Sequence, residues 1–295
     1  MKRRIKYIIF QGLLHLSSII PDNIYVKLLF WINVGYRLNL KEPRSFNEKI
    51  QWLKLNDHNP IYPTIVDKYS VKRYIEKILG PGYTFDTIGI WENPENIDFD
   101  ALPSQFVLKT TNGGGSCGVV ICRNKMEADK DSIVNQLKQA LKQDIAGKFL
   151  EWPYKDVRPL IIAEPFMAQN DGSELVDYKF HCFNGEPRFV LVCSGRYSKT
   201  GMKDDFFDMK WNRINCSRMA HPNSTVLIPA PNKLSHMIDI SKSLSSRFPF
   251  LRVDFYVINS SIYVGELTLY PASGFSKYIP EEKDYLFGSW LKLPQ

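Results

Sequence analysis

The chain comprises 295 residues, 44% of them hydrophobic, enough apolar material for one large or two to three small lobes, and that composition excludes a disordered chain. Lysine and arginine number 38 against 31 aspartates and glutamates, a net charge of +7 spread along the chain rather than gathered in a tail. This balance favours anionic partners such as nucleotide phosphates, acidic sugars or lipid head groups, and speaks against nucleic acid.

The first twenty residues, MKRRIKYIIFQGLLHLSSII, begin with a cationic cluster, but Gln11, His15 and two serines interrupt the apolar run and no small-residue cleavage site follows. That pattern is neither a signal peptide nor a membrane span; it predicts an amphipathic helix with a cationic head. The helix either packs on the body of the protein or makes a peripheral contact with a membrane surface. Pro21-Asp22-Asn23 breaks the following helical stretch. Ser45-Phe46-Asn47-Glu48 has the form of a capping box opening a helix that carries Ile50, Trp52, Leu53 and Leu55. Ile65–Leu79 reads as one helix beginning at Asp67-Lys68 and ended by Gly80-Pro81-Gly82, and residues 83–91 read as a strand. The five cysteines (117, 122, 182, 193 and 216) form no C-x-x-C pair and leave one unpaired in any disulfide scheme, so a reduced, cytoplasmic compartment is expected.

Phe106–Lys109 is a short apolar strand ending in a lysine, followed by the glycine-rich loop Asn112-Gly113-Gly114-Gly115-Ser116-Cys117-Gly118 and a second strand, Val119–Cys122. Strand, loop, strand describes a hairpin lid rather than a Walker loop, and the G-K-[ST] ending is missing. Glycines let backbone N–H groups approach phosphate oxygens, and the strand-end Lys109 supplies a cation. Residues 129–149 read as helical. LIIAEPFM (160–167) reads as a buried strand with Glu164 at its end, a wall for a planar base alongside Pro165, Phe166 and Met167; a structural salt bridge by Glu164 is the other reading. Two strands then flank the turn Asn184-Gly185, with Lys179 in the first and Arg196 after the second. Residues 198–224 read as a long loop and 232–247 as a helix.

The stretch LRVDFYVINSSIYVGELTLYPASG (251–274) is the chemical centre of the sequence. Two period-2 apolar runs flank Asn259-Ser260-Ser261, predicting a hairpin with a three-residue loop. Asp254 and Glu266 are equidistant from Ser260, so their carboxylates are expected side by side across the ladder. Facing carboxylates need a cation between them: either Mg²⁺, which suits hard oxygen ligands and substrate phosphates, or a basic side chain such as Arg252.

These stations in this order, SFNEKIQWLKLND (45–57), VDKYSVKRYI (66–75), FVLKTTNGGG (106–115), IIAEPF (161–166), DYKFHCFNGEP (177–187), RVDFY (252–256) and GELTLYPASG (265–274), resemble the TupA-like ATP-grasp family associated with bacterial surface polysaccharides. The resemblance implies an α+β ATP-grasp fold that holds a nucleotide between two α+β lobes. It divides the chain into a helical N-terminal region (1–60), an associated segment (61–104), a small lobe with the glycine-rich lid (105–168) and a C-terminal lobe with the Mg²⁺-binding hairpin (169–295). It implies ATP and Mg²⁺ as cofactors. Lys68 and Lys109 would contact ATP phosphates with Asn112, Gly113, Gly114, Gly115 and Ser116 closing over them. Glu164, Pro165, Phe166 and Met167 would line the adenine slot. Lys179 would serve both nucleotide and chemistry, with Lys109, Arg196 and Arg252 as the other catalytic cations; Asp254, Glu266 and Thr268 would hold the metal. Many ATP-grasp enzymes carry Glu-x-Asn at this last segment; Thr268 is a shorter, weaker ligand, giving a looser site or one completed by water.

The reaction so implied is ATP-dependent carboxylate–amine ligation through an acyl phosphate, joining an amino acid to a uronic acid or other acidic component of a capsular or other surface polysaccharide, and the N-terminal helix would be the place of any peripheral contact with polysaccharide-assembly machinery. Competing readings keep less of this picture. A sugar or lipid kinase would use the same nucleotide site. A glycosyltransferase would use a D-x-D pair following an apolar strand; Asp204, Asp205 and Asp208 stand in the stretch read as a loop. A scaffold with a decayed site would not need the charged positions filled.

Overall fold

The computed structural model describes residues 2–114, 118–196, 198 and 201–294. Helices α1 (Lys2–His15) and α2 (Asp22–Val34) are separated at Pro21, and α2 ends on Gly35 in the left-handed region, at φ 102°. Val26, Phe30 and Val34 of α2 pack with Leu38 as a small separate core. Helix α3 (Phe46–Asn56) begins with the expected reciprocal cap: Ser45 Oγ accepts from Glu48 N–H at 3.1 Å and the Glu48 carboxylate accepts from Ser45 N–H at 3.0 Å.

The single helix expected from residue 65 is two, α4 (Tyr62–Val66) and α5 (Ser70–Leu79). Asp67 is the reason: its carboxylate accepts from the N–H groups of Tyr69 and Ser70 at 2.7 and 3.0 Å, restarting the helix and leaving Lys68 at the corner.

Strands β1 (Gly89–Trp91), β2 (Phe106–Thr110), β3 (Val119–Cys122) and, after helices α6 (Lys130–Leu141) and α7 (Ile145–Phe149), β4 (Ile161–Pro165) form an antiparallel sheet in the order β1-β4-β2-β3. Phe106, Leu108, Ile161 and Ala163 pack against Leu137 of α6. The strand expected over 83–91 is confined to β1. Tyr83 and Phe85 instead reach the other sheet: Tyr83 O accepts from Val264 N–H at 2.7 Å, and Phe85 stacks on Tyr263 with centroids 4.9 Å apart. The helix expected over 129–149 divides at Asp144, whose side chain caps α7 by accepting from Gly147 N–H at 2.7 Å.

The second sheet contains β5 (Asp177–Phe183), β6 (Glu186–Ser194), β7 (Lys203–Asp208), β9 (Phe250–Ile258) and β10 (Ser261–Thr268), in the order β10-β9-β5-β6-β7, all antiparallel. The stretch read as a loop over 198–224 therefore contains β7, and also β8 (Ser217–Arg218), which pairs with β11 (Tyr278–Ile279). The acids disguised it. Asp204 and Asp205 are buried in the strand and satisfied, Asp204 by Arg218 at 2.5 Å and Asp205 by Arg213. Helix α8 (Leu234–Ser245) covers β5, β6 and β9, and an aromatic core of Phe180, Phe183, Phe189, Phe206, Phe250 and Phe255 extends to Phe287 of α9 (Glu282–Trp290). Cys122, Cys182, Cys193 and Cys216 are free and buried.

The β9–β10 hairpin reaches the expected acid pairing by a different route. Its loop is only Asn259-Ser260, both at positive φ, with Ser261 already paired to Ile258; that register alone would set Gly265 opposite Asp254. A bulge between Val264 and Glu266 absorbs one residue and brings Glu266 opposite Asp254. Gly265 allows it, since a Cβ there would lie 2.6 Å from the Tyr256 ring.

Two tests follow from this packing. Gly288 of α9 lies on the start of α3, where a Cβ would be 2.1 Å from Arg44 O and 2.6 Å from Ser45 C. Gly288→Ala is expected to cost about 2 kcal/mol or more in chemical denaturation; an unchanged midpoint would show that α9 can lift without loss. His181 is buried, stacks on Phe189 with centroids 4.1 Å apart, and directs Nδ1–H at Lys179 O, 3.0 Å away. Burial, reinforced by the Arg252 charge, holds its imidazole well below the usual range. The unfolded chain binds the proton that the folded one refuses, so this contribution is complete above the ordinary value of about 6.5 and is lost as pH falls below it, at up to about 1.4 kcal/mol per pH unit. His181→Phe should flatten the stability curve between pH 7.5 and 5.5. An identical slope in the variant would remove His181 as its source.

Candidate active site

The two sheets face each other across a cleft of about 1240 Å³. Strand periodicity supplies its walls, because residues two apart share a face. From the first sheet come Val107 and Lys109 of β2, Val119 and Ile121 of β3, and Glu164 and Pro165 of β4. From the second come Asp177 and Lys179 of β5, Arg252, Asp254 and Tyr256 of β9, and Glu266 and Thr268 of β10. Lys68, Gly114, Phe166, Met167 and Arg196 also line it, so most of the residues singled out in the sequence meet in one place.

Lys109 Nζ lies 2.5 Å from Glu164 Oε2, and Lys72 Nζ lies 2.6 Å from Glu164 Oε1. Burial on its own would raise the Glu164 carboxyl, but the two ammonium groups outweigh it and hold it below the ordinary range. The salt-bridge reading of Glu164 is therefore realised, and Glu164 sits inside β4 rather than at its end. Lys68 Nζ donates to Gly113 O, tying the corner after α4 to the glycine-rich loop. Burial lowers the pKa of Lys68, against the opposing pull of Glu266. Asn112 and Gly113 do not line the cleft. Asn112 instead donates from its side-chain amide to Leu141 O at 3.2 Å, anchoring the loop to the end of α6. Gly115 and Ser116 lie outside the described residues.

On the second sheet, Asp254 stands opposite Lys179 on one side and Glu266 on the other. Its carboxylate accepts from Arg252 Nε at 2.6 Å, from an Arg252 Nη at 2.7 Å and from Lys179 Nζ at 2.5 Å. Burial would raise Asp254, and Arg252 and Lys179 overcome it, leaving the acid below its ordinary range. The same Arg252 reaches Glu266 Oε2 at 3.4 Å. The two acids do stand side by side, and Arg252 is the cation between them. Arg196 pairs with Asp177, to which the Tyr256 hydroxyl also bonds.

Among the described residues no three His, Cys, Asp or Glu side chains cluster as a metal site. The oxygens present nevertheless suit a hard divalent cation completed by water or phosphate. Asp254 uses three of about four lone-pair positions. Glu266 makes only the long Arg252 contact among the described hydrogen bonds, and Thr268 Oγ1, two residues on along the same strand face, is buried without a partner. Seven cationic side chains and seven carboxylates line the cleft, so the chain's surplus of positive charge lies elsewhere. A triphosphate entering this balanced cleft needs accompanying positive charge.

Sequence reasoning passed over three contributors. Lys72, four residues after Lys68 in VDKYSVKRYI, was one lysine among several until the fold set it on Glu164. Asp177 was hidden at the edge of β5. Glu151 lines the far end of the cleft and accepts from Ser273 Oγ at 2.5 Å, while buried Lys54 donates to Phe149 O and Ser273 O at 2.8 and 2.9 Å. Burial pushes the Glu151 carboxyl up, and Ser273 and Lys54 only partly offset it. The one visible signal was a lone acid in the aromatic run FLEWPY (149–154).

No curated protein matches the chain. Among solved structures, D-alanine–D-alanine ligase from Bacillus anthracis complexed with ATP aligns at 16% identity over 70% of this chain and 54% of that one, with a TM-score of 0.40. The Helicobacter pylori D-alanine–D-alanine ligase aligns at 16% identity over 84% and 70%, with a TM-score of 0.45. N5-carboxyaminoimidazole ribonucleotide synthetase, in its ADP complex, aligns at 18% over 84% and 56%, with a TM-score of 0.43. The chain thus spans little more than half the length of two of these three structures. The sequence profile of the TupA-like ATPgrasp family, by contrast, matches residues 48–292, and the chain belongs to that family.

Proposed function

We propose that this protein is an ATP-dependent carboxylate–amine ligase that works through an acyl phosphate. The observation that carries the reading is the meeting, across one cleft, of Lys68 and Lys109 on one side with the Asp254–Glu266 pair and its cations on the other. In this reading the adenine lies along Val107, Ile121, Phe166 and Met167, where the lining is apolar, and the phosphates point toward Lys68 and Lys109. Asp254, Glu266 and Thr268 would hold Mg²⁺, which supplies charge neutralisation at the transferring phosphoryl group.

A substrate carboxylate oxygen attacks the γ-phosphorus and ADP leaves. Lys109 and Lys179 stabilise the charge spread over the phosphoryl oxygens, and Arg252, fixed by its bidentate grip on Asp254, presents its remaining donor face to the same region. The amine nitrogen then attacks the acyl carbon, the C–O bond to phosphate breaks, and the ammonium proton is lost. Nothing covalent is asked of the protein, whose work is positioning and exclusion of water. For substrates we infer an amino acid and a uronic acid or other acidic component of a surface polysaccharide, which is what the resemblance in the sequence implies. Asp204 and Asp205 are occupied by Arg218 and Arg213 inside the second sheet and are not free to hold the metal of a sugar nucleotide.

With the full chain, ATP, Mg²⁺ and a panel of uronic acids and amino acids, ADP and free phosphate are expected only when acid and amine are both present. Phosphate retained on a sugar product would make the protein a kinase; binding of a UDP-sugar without binding of ATP would make it a glycosyltransferase. Lys109→Ala should lower turnover by about a hundredfold or more, Glu164 keeping Lys72 as its partner. Glu266→Gln should raise the Mg²⁺ concentration for half-maximal turnover by at least about tenfold, the loss typical of even an outer-sphere partner. An unaltered Mg²⁺ titration would take the hairpin out of the reaction.

A further inference from the structure

Of the twenty exposed large hydrophobic side chains among the described residues, eight lie between residues 7 and 31. They are ordered by helix geometry. On α2, Ile24, Lys27, Leu28 and Trp31 follow the i, i+3, i+4, i+7 spacing of a single stripe, and all four are exposed, while Tyr25, Val26, Leu29 and Phe30 face inward. On α1 and just beyond it, Ile8, Leu16 and Ile19 continue the surface, with Ile8 63% and Ile19 74% exposed. The two helices pack on one another, so these exposed apolar side chains are carried by adjoining helices. That arrangement leaves a hydrophobic surface in water, which a soluble monomer seldom keeps without a use.

We propose that the α1–α2 pair is a docking surface for an anionic phospholipid bilayer. Charge complementarity selects this occupant over a second copy of the chain. Lys2, Arg3, Arg4 and Lys6 fall in the first turns of α1, and no acid occurs before Asp22. Such a cationic end attached to an apolar face matches acidic head groups over acyl chains, and would repel the same end of another copy. Tyr7 and Trp31, both exposed, are the amphipathic aromatics that settle at head-group depth. Docking is in the plane of the interface: no helix of the described residues is long and apolar enough to cross a membrane, and the 14 residues of α1 span about 21 Å against a hydrocarbon core of about 30 Å.

The surface is fastened to the cleft. Leu14 of α1 lines the cleft, and the Tyr25 hydroxyl of α2 donates to the backbone carbonyl of Lys148, another lining residue, at 2.8 Å. A bilayer held on the exposed side of α1 and α2 therefore lies across these two helices from the part of the cleft lined by Leu14 and Lys148. The docking itself does not depend on the ligase reading.

The test is co-sedimentation of the full chain with vesicles of phosphatidylcholine alone or with about 30% phosphatidylglycerol, at ~0.1 M salt. Binding is expected to be at least about tenfold stronger to the anionic vesicles and to fall steeply at ~0.5 M salt. The double variant Ile8→Asp, Trp31→Asp should lose vesicle binding while melting like the native chain, because both side chains are exposed. Arg3→Glu with Arg4→Glu should weaken anionic binding by at least about tenfold. Failure to sediment with anionic vesicles, equal binding to both compositions, or full binding by Ile8→Asp, Trp31→Asp would overturn the proposal. So would concentration-dependent self-association of the native chain that the same pair of substitutions abolishes, since the face would then belong to a second copy.

Discussion

Arg252 in its place between Asp254 and Glu266 is the constraint on which the cleft rests. Two acids on neighbouring strands would repel at that separation, and a lone buried carboxylate would take up a proton rather than stay charged. The guanidinium solves both problems: it grips Asp254 at 2.6 and 2.7 Å and leans toward Glu266 at 3.4 Å, while Lys179 closes the remaining side of Asp254. Removing Arg252 or Asp254 would leave a buried charge uncompensated, and such losses are typically larger than the net worth of the intact pair. The cluster is thus held together by mutual need rather than by surplus stability.

The same logic repeats on the opposite wall, where Glu164 is shared by Lys72 and Lys109. The charges lining the cleft balance at seven against seven, and Glu164, Asp177 and Asp254 on the two sheets are each paired with a cation. The site is preorganised: its cations are held in position before any anion arrives, so little reorganisation is needed when one does.

Much of this was legible in the chain, and the failures have physical causes. Strands with clear alternation (106–110, 250–258, 261–268) and the capped helix from Phe46 follow the local rules. Where a short polar side chain could bond its own backbone, the local rule misled: Asp67 and Asp144 each divided a helix that periodicity had joined. Strand β7 was obscured because two of its buried residues are acids whose arginine partners are distant enough in sequence to be invisible beforehand. The pairing of Asp254 with Glu266 was reached by counting from a three-residue loop, whereas the hairpin uses a two-residue loop and a bulge; the two differences cancel. Glu151 and Lys54 carry no pattern at all, since their relation exists only in three dimensions.

The floor of the cleft carries one further implication. Ala272 and Ser273 occupy the left-handed region in succession, at φ 47° and 54°, a conformation that costs non-glycine residues about 1 kcal/mol or more each. Gln51 and Lys54 of α3 clamp the Ser273 carbonyl, and Ser273 in turn carries Glu151. Helix α3 is therefore a spring anchor beneath the chemistry: slackening it by exchange of a side chain that never meets solvent would let the floor relax toward ordinary backbone and carry Glu151 with it.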